Sequence, residues 1–568
     1  MKKYVLLIVL GCCVSLARAQ LVKQTAQNQK SQAELDWYNC SPEEDGVYGA
    51  AVNKAYDFLK GKKLDKCPVV AFVGFGLDVE HEDLKEAVWT NKREKADGKD
   101  DDKNGLVDDV HGWNYLGGKD GQVLEIGTWE GNREYMRLKD KYADYISSNG
   151  EFFKIVNEEV VKVDAPENLE EFYYYRNVVQ QQSGLARAYA GWQYAYVIQS
   201  FGRKWKAEMD AKYPGRKHTI KDFAEEYQGI DMQDTLRLAA YSMIIFGSSV
   251  YKTSDFEVIY NNFVENSVNM SKKGYETAES TTDMTARQRV VGDNYLDIND
   301  NVYGNNVLLT SDAAIGTMAA GIVGGKRGNG LGGDGIMDQA EIMTLRVDVG
   351  QGNPCLKDMA LSIRYAVDHG ADVIVLSQQN TLYPDNQKGW MTEALRYAEK
   401  AGVLVIVPVW ELSQDLAQVT YYPNRWMDGE KELTNLMVVA SSDKNGNPSM
   451  QANFGAKEVD LFAPGVDIYT AYTGDTYQTG AGSGLATATV AGVAALVKAY
   501  YPELTGAQIR DILLQSVTSR KDAEVEKGIV VGNSQMQDLY LFQDLCLSGG
   551  ILNAYNAVVA ADKLVNNK

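Results

Sequence analysis

Five short apolar runs punctuate this chain: VVAFVG (69–74), EIMTLRV (341–347), ADVIVLS (371–377), GVLVIVPV (402–409) and LMVVAS (436–441). They are near-continuous rather than alternating, which suits strands covered on both faces. Between the later runs lie KDMALSIRYAVDHG (357–370) and WMTEALRYAEKAG (390–402), whose apolar residues recur at helical spacing and stop at a Gly. Strand and helix alternating in this way build βαβ units. The expected fold class is therefore α/β, a doubly wound, mainly parallel sheet with helices on both faces. Ligands of such sheets bind beyond the carboxyl ends of the strands, so function is to be sought just after these runs.

One long interval breaks the pattern. From 121 to 289 strand-like runs vanish and Tyr, Trp, Glu, Lys and Gln recur at helical spacing, as in EEFYYYRNVVQQQSGLARAYAGWQYAYVIQSFGRKWKAEM (170–209). A mostly helical insertion is expected there, dividing a core made of 67–120 and 290–568, with an N-terminal segment over 20–66. The insertion's aromatics could form a sugar- or peptide-binding surface, but at helical spacing they read first as core.

With 568 residues, 45% of them hydrophobic, the chain can bury a large core. Its net charge of −20 lacks the basic face that phosphate recognition needs, so no nucleic-acid partner is expected. Residues 1–19 carry two lysines, a short apolar run and a small-x-small end at Ala17-Arg18-Ala19, the pattern of a signal peptide cut before Gln20; acylation at Cys12 is the alternative. No later stretch reads as a transmembrane segment. Export leaves Cys40, Cys67, Cys355 and Cys546, for which one or two disulfides are expected in any of three pairings, and whose spacing gives no zinc site. Nucleotide binding is not expected either: GFGLDV (74–79) has Val79 where a third Gly would stand, and GNGLGG (328–333) follows a helical pattern instead of a strand.

Three segments carry a family likeness: VVAFVGFGLDVEHEDL (69–84), DAAIGTMAAGIVGG (312–325) and GAGSGLATATVAGVAALVKAYYPELT (480–505). DVIVLS, NFGAKEVDLFAPGVDIYT and GGILNAYNAV fall in order between and after them. Together these segments, spanning about 36–120 and 290–568, resemble the subtilisin-like serine peptidases, the subtilases. The whole pattern, insertion included, is similar to exported subtilases of Bacteroidetes-type Gram-negative bacteria, which implies a periplasmic or extracellular location.

Laid on the family motifs residue by residue, the resemblance sets Gly74 where the catalytic Asp stands, Ile315 where the His stands and Gly484 where the nucleophilic Ser stands. In IVPVWELS, Trp410 takes the place of the oxyanion-hole Asn. The substrate-groove stretch Ser-Leu-Gly reads Ser377-Gln378-Gln379, and Gln379 brings a side chain where Gly would let a peptide approach closely. A serine peptidase needs a hydroxyl, an imidazole, an orienting carboxylate and oxyanion donors, and these substitutions remove all four. Ser483 lies one place off the nucleophile position. His81, His111 and Asp78 match non-catalytic positions, and His218 and His369 lie outside the motifs. The resemblance thus implies an inactive homologue that binds a peptide, a protein or a true protease, or acts as a scaffold. An active secreted serine endopeptidase is the rival reading; a hydrolase built on the insertion's carboxylates is a third, with no spacing that singles out a pair. The two glycines vacate space while Ile315 and Trp410 add apolar volume beside it, so a packed or apolar pocket is expected in place of the catalytic cleft.

A calcium loop is the remaining candidate site. In DGKDDDKNGLVDD (97–109), Asp100, Asp102 and Asn104 alternate ahead of Gly105 and are followed by Asp108 and Asp109, a hard-oxygen spacing around a sharp turn. His111 stands where an EF-hand has its closing Glu, and a solvated acidic turn is the other reading. Calcium here would be structural, and no other cofactor is expected.

Overall fold

The computed structural model describes residues 32–566 apart from 228–230, 232, 383, 428, 430 and 533. The expected signal peptide over 1–19, Cys12 included, lies outside the described residues. The chain forms two compact units, one comprising the described residues up to Gly127 and those from Thr285 onward, the other Thr128–Met284.

The first unit is built on nine strands: β1 (Val69–Gly74), β2 (Gly112–Asn114), β3 (Glu341–Arg346), β4 (Val373–Leu376), β5 (Leu404–Pro408), β6 (Leu436–Ser442), β7 (Leu461–Pro464), β8 (Thr518–Ser519) and β9 (Gly550–Ile551). They lie in one sheet in the order β8-β9-β7-β6-β5-β4-β1-β3-β2, every pairing parallel except β8 with β9. Residues alternate between two apolar layers, as a strand's period of two requires. Val70, Phe72, Val375, Ile406 and Val439 face one layer, and Ala71, Val73, Ile374, Val405 and Val438 the other.

Among the helices that cover the sheet are α1 (Ala313–Gly324), α2 (Leu356–Asp368), α3 (Asp385–Ala401) and α4 (Ser483–Tyr500). The helices α1 and α4 share the first layer, while α2 and α3 supply the second with Met359, Ile363, Ala394, Leu395 and Ala398, spaced for one helix face. Helices on both faces explain why the strands read as unbroken apolar runs. One expectation is corrected here: α4 is long and apolar enough, by length and composition, to cross a membrane. It is buried in the first layer instead, where its small residues allow close packing; a Cβ on Gly492 would stand 2.7 Å from the Cβ of Ile336.

The disulfide expectation also changes. All four cysteines carry thiols, Cys40, Cys355 and Cys546 buried and Cys67 exposed. Cys546 Sγ lies 3.7 Å from Ser548 Oγ, and Arg287 Nη1 lies 3.5 Å from Cys355 Sγ.

The second unit has long helices, among them Glu130–Tyr142, Gly184–Lys212, Thr235–Tyr251 and Asn266–Thr281. Its aromatics form its own core, Trp205 meeting Phe256 and Phe223 at centroid distances of 4.4 and 4.7 Å. Not foreseen from helical spacing is a three-stranded antiparallel sheet of Ile146–Ser148, Glu151–Val156 and Glu159–Val163. Its first turn is Asn149-Gly150 with both φ positive, the tight hairpin turn that Asn-Gly favours.

Candidate functional site

The strands β1 and β4 end side by side, and α1 and α4 start across from them. Gly74 closes β1, and its carbonyl accepts from Val347 N at 2.7 Å and Asp348 N at 2.9 Å. Ser377 follows β4 and donates its main-chain N–H to Val73 O at 2.9 Å. Two strands this close leave no room at position 74, where a Cβ would stand 2.8 Å from that of Ser377. Ile315 lies in the first turn of α1, its N–H on Asp312 O at 3.1 Å. Gly484 lies in the first turn of α4, where an added Cβ would meet nothing within 4 Å.

These ends enclose one cavity of about 70 Å³, whose lining brings Gly74, Ile315 and Gly484 together with Phe72, Met318 and Leu485. The expected apolar pocket is therefore present. Its lining includes no imidazole and no carboxylate. Its two side-chain hydroxyls are engaged elsewhere, Ser377 Oγ donating to Asp348 Oδ2 at 3.0 Å and Thr487 Oγ1 to Gly484 O at 2.6 Å. The Asp348 carboxylate also accepts from Gln378 Nε2 at 2.6 Å and Gly350 N at 2.9 Å; burial pushes its pKa up, against the pull of these donors.

Trp410 departs from expectation, because it is not among the residues lining this cavity. Half-buried after β5, its indole N–H donates instead to the main-chain carbonyl of Gln379. Gln379 is buried, with Nε2 on Pro423 O at 2.8 Å. The Ser377–Gln379 edge thus has one carbonyl already satisfied by Trp410.

The remaining candidates serve other ends. Ser483 is buried, and Glu411 Oε1 accepts from both its N–H at 2.8 Å and its Oγ at 2.7 Å, a carboxylate closing the positive end of α4. Glu411 also faces Lys527, a fully buried lysine on the hairpin strand Glu524–Val531 that sequence reasoning missed. Burial lowers the Lys527 pKa to about 7 against the pull of Glu411. None of the four histidines is among the residues lining the cavity. His81 contacts Thr476 O, His111 Trp89 O and His218 Asp210, while His369 Nε2 lies 3.8 Å from Asp102.

The acidic loop splits into two groups. Asp100 and Asp108 hold the turn, the first accepting from Asn104 N and Gly105 N, the second from Asp97 N and Gly98 N. Asp102 and Asp109 instead converge with Glu94, their oxygens within 4.8 Å of one another. Asn104 Nδ2 donates to Asp109 Oδ2 at 2.8 Å. Glu94 is 6% exposed and its Oε2 has no hydrogen-bond partner, so a buried acceptor is left without a cationic or donor group. Glu94 lies upstream of the acidic run, beyond the reach of its alternating pattern.

Comparison with known proteins bears on this fold. The model described as the Subtilase family matches residues 65–532. A thermostable alkaline protease of Halalkalibacterium halodurans is 30% identical over 203 residues, 36% of this chain and 52% of the relative. Subtilisin BL of Lederbergia lenta is 31% identical over 204 residues, 36% of this chain and 70% of the relative. Thermitase of Thermoactinomyces vulgaris is 32% identical over 182 residues, 32% and 60% of the two chains. The aligned stretch thus spans about half the length of the first relative and 70% of the second. Among solved structures, the prenylagaramide maturation protease PagA gives a TM-score of 0.34 at 21% identity, covering 44% of this chain and 82% of that one. With its family match running through most of the sequence and a mainly parallel sheet flanked by helices behind it, this chain belongs to the subtilase family.

Proposed function

We propose that this chain is a catalytically inactive subtilase that binds a peptide or protein partner, or serves as a scaffold, outside the cytoplasm. One observation carries the reading: Gly74, Ile315 and Gly484 line a single apolar cavity whose walls supply no nucleophile–base pair. Loss of the Ser or the His alone costs subtilisin about 10⁶ in turnover, and here neither type stands at its position. Ser483, one residue away, has its hydroxyl on Glu411, which orients no imidazole. Residues 1–19 support export to the periplasm or cell exterior.

The test is fluorophosphonate labelling of the purified mature protein beside a mixed-peptide cleavage assay, with an active subtilase as control. No label and no cleavage are expected. A stoichiometric adduct mapped to one serine by mass spectrometry would overturn the reading in favour of a serine endopeptidase.

We further propose that Glu94, Asp102 and Asp109 hold a structural calcium ion, a role supported by three hard-oxygen ligands and by the unpartnered Glu94 Oε2. Calcium at about 100 times its Kd is then expected to add about 2.7 kcal/mol of stability, read as a rise in Tm that EDTA reverses. Glu94→Gln should abolish most of that increment. An equal calcium response in wild type and variant would place the ion elsewhere.

A further inference from the structure

The cavity has a shape as well as a polarity. Its floor is buried, formed by Phe72, Val375, Met318 and Leu485, while Phe75, Ile315 and Gly484 at its rim are partly exposed. A group bound there is enclosed at one end and meets the surface at the other. With both lining hydroxyls engaged by Asp348 and by Gly484 O, a polar or charged group entering would lose water without gaining a free side-chain donor.

Size narrows the choice further. An apolar cavity of about 150 Å³ stays dry and takes up benzene, and this one, at about 70 Å³, suits a smaller group of about three or four carbons. A free hydrocarbon of that size would leave its outer end in water. A side chain hanging from a peptide would not, because its main chain sits at the mouth. The neighbouring edge limits how that main chain is held, since Trp410 already donates to the Gln379 carbonyl. Recognition then falls on the inserted side chain more than on a run of main-chain hydrogen bonds along this edge.

We propose that the cavity at Gly74, Ile315 and Gly484 is a receptacle for one branched aliphatic side chain, of Val, Leu or Ile size, presented by a partner peptide. This rests on the reading of the site as a binding site and supplies the ligand chemistry which that reading leaves open. Gly484 sets the access. It lines the cavity, has helical geometry and has open space beyond its Cα, so a bulky side chain there is expected to obstruct the cavity without straining the backbone.

The experiment uses the full chain with ¹³C-labelled methyl groups and two probes of similar shape, N-acetyl-leucinamide and N-acetyl-asparaginamide. The leucine probe is expected to shift the methyl signals of Ile315, Met318, Ala319 and Leu485 saturably. The asparagine probe should bind about 10- to 100-fold more weakly, the ratio for burying one aliphatic side chain. Gly484→Leu should abolish the response while melting no lower than wild type, which shows that it folds. Any of three results would overturn the proposal: no shift of these methyls up to the solubility limit of the leucine probe, equal binding of both probes, or a response that survives in Gly484→Leu. Fluorophosphonate labelling separates the two failures. A labelled serine sinks the inactive reading whatever the probes do, whereas unlabelled protein that ignores the leucine probe sinks only the receptacle.

Discussion

Arg346→Met is expected to destabilise the first unit by about 3–5 kcal/mol, the usual cost of removing one partner from a buried ion pair. Arg346 closes β3 with no exposed surface. Its Nε bonds Asp312 Oδ2 at 2.9 Å, Nη2 reaches the same carboxylate and Leu124 O at 2.9 Å, and Nη1 reaches Asn114 Oδ1 at 3.2 Å. Asp312 is buried too, and gathers Gly76 N at 2.8 Å and Thr310 Oγ1 at 2.9 Å. Methionine fills part of the vacated volume but leaves a desolvated carboxylate without its cation. The damage falls beside the cavity, because Asp312 precedes α1 and its carbonyl accepts from Ile315 N. Urea denaturation at neutral pH measures the loss. Adding Asp312→Asn to Arg346→Met should recover part of it, since the orphaned charge is then gone. A loss below about 1 kcal/mol for Arg346→Met would mean that water reaches this pair and that the site is less enclosed than its burial indicates.

What the sequence made legible follows from what pattern encodes. Strands covered on both faces leave a local signature, so β1, β3, β4, β5 and β6 read directly as apolar runs, and the glycine-rich openings of α1 and α4 carry motifs long enough to align. The gathering of Gly74, Ile315 and Gly484 was legible for the same reason, since all three lie within those motifs. Trp410 was misplaced because sequence fixes its position on the chain but not its rotamer, and its indole N–H found an acceptor on Gln379 in place of cavity wall. Glu94 was missed because the fold, not spacing, brings it to Asp102 and Asp109. The small sheet of the second unit had one local signal, Asn149-Gly150, which the surrounding helical periodicity masked. Lys527 left no trace, because burial of a lysine on a hairpin is decided wholly by what packs over it.

That lysine sets the second large effect. Lys527→Met is expected to stabilise the protein at pH 7 by about 2–4 kcal/mol, with the advantage vanishing as pH approaches 10.5. The Lys527 pKa falls from 10.5 to about 7 through burial, opposed by Glu411. A depressed folded-state pKa means that between about pH 7 and 10.5 the unfolded chain holds the proton and the native chain does not, so stability rises with pH across that window. Below it both states are protonated and the penalty of burying the ammonium is constant, on the order of 5 kcal/mol. Some of that is recovered by bonds from Nζ to Met450 O at 2.8 Å and Gly528 O at 3.3 Å, and by its place 5.2 Å from the centre of the Phe454 ring. Methionine forfeits those contacts but also removes the larger burial penalty, leaving a net gain at neutral pH. The measurement is the difference in urea stability between wild type and variant from pH 6.5 to 10, which cancels the other groups that titrate in that range. A difference flat with pH, or a variant less stable throughout, would show that Lys527 keeps its charge in the fold. In that case its cation would remain set against Glu411, and the carboxylate that closes α4 beside the cavity would be neutralised from both sides, by the helix end and by the lysine.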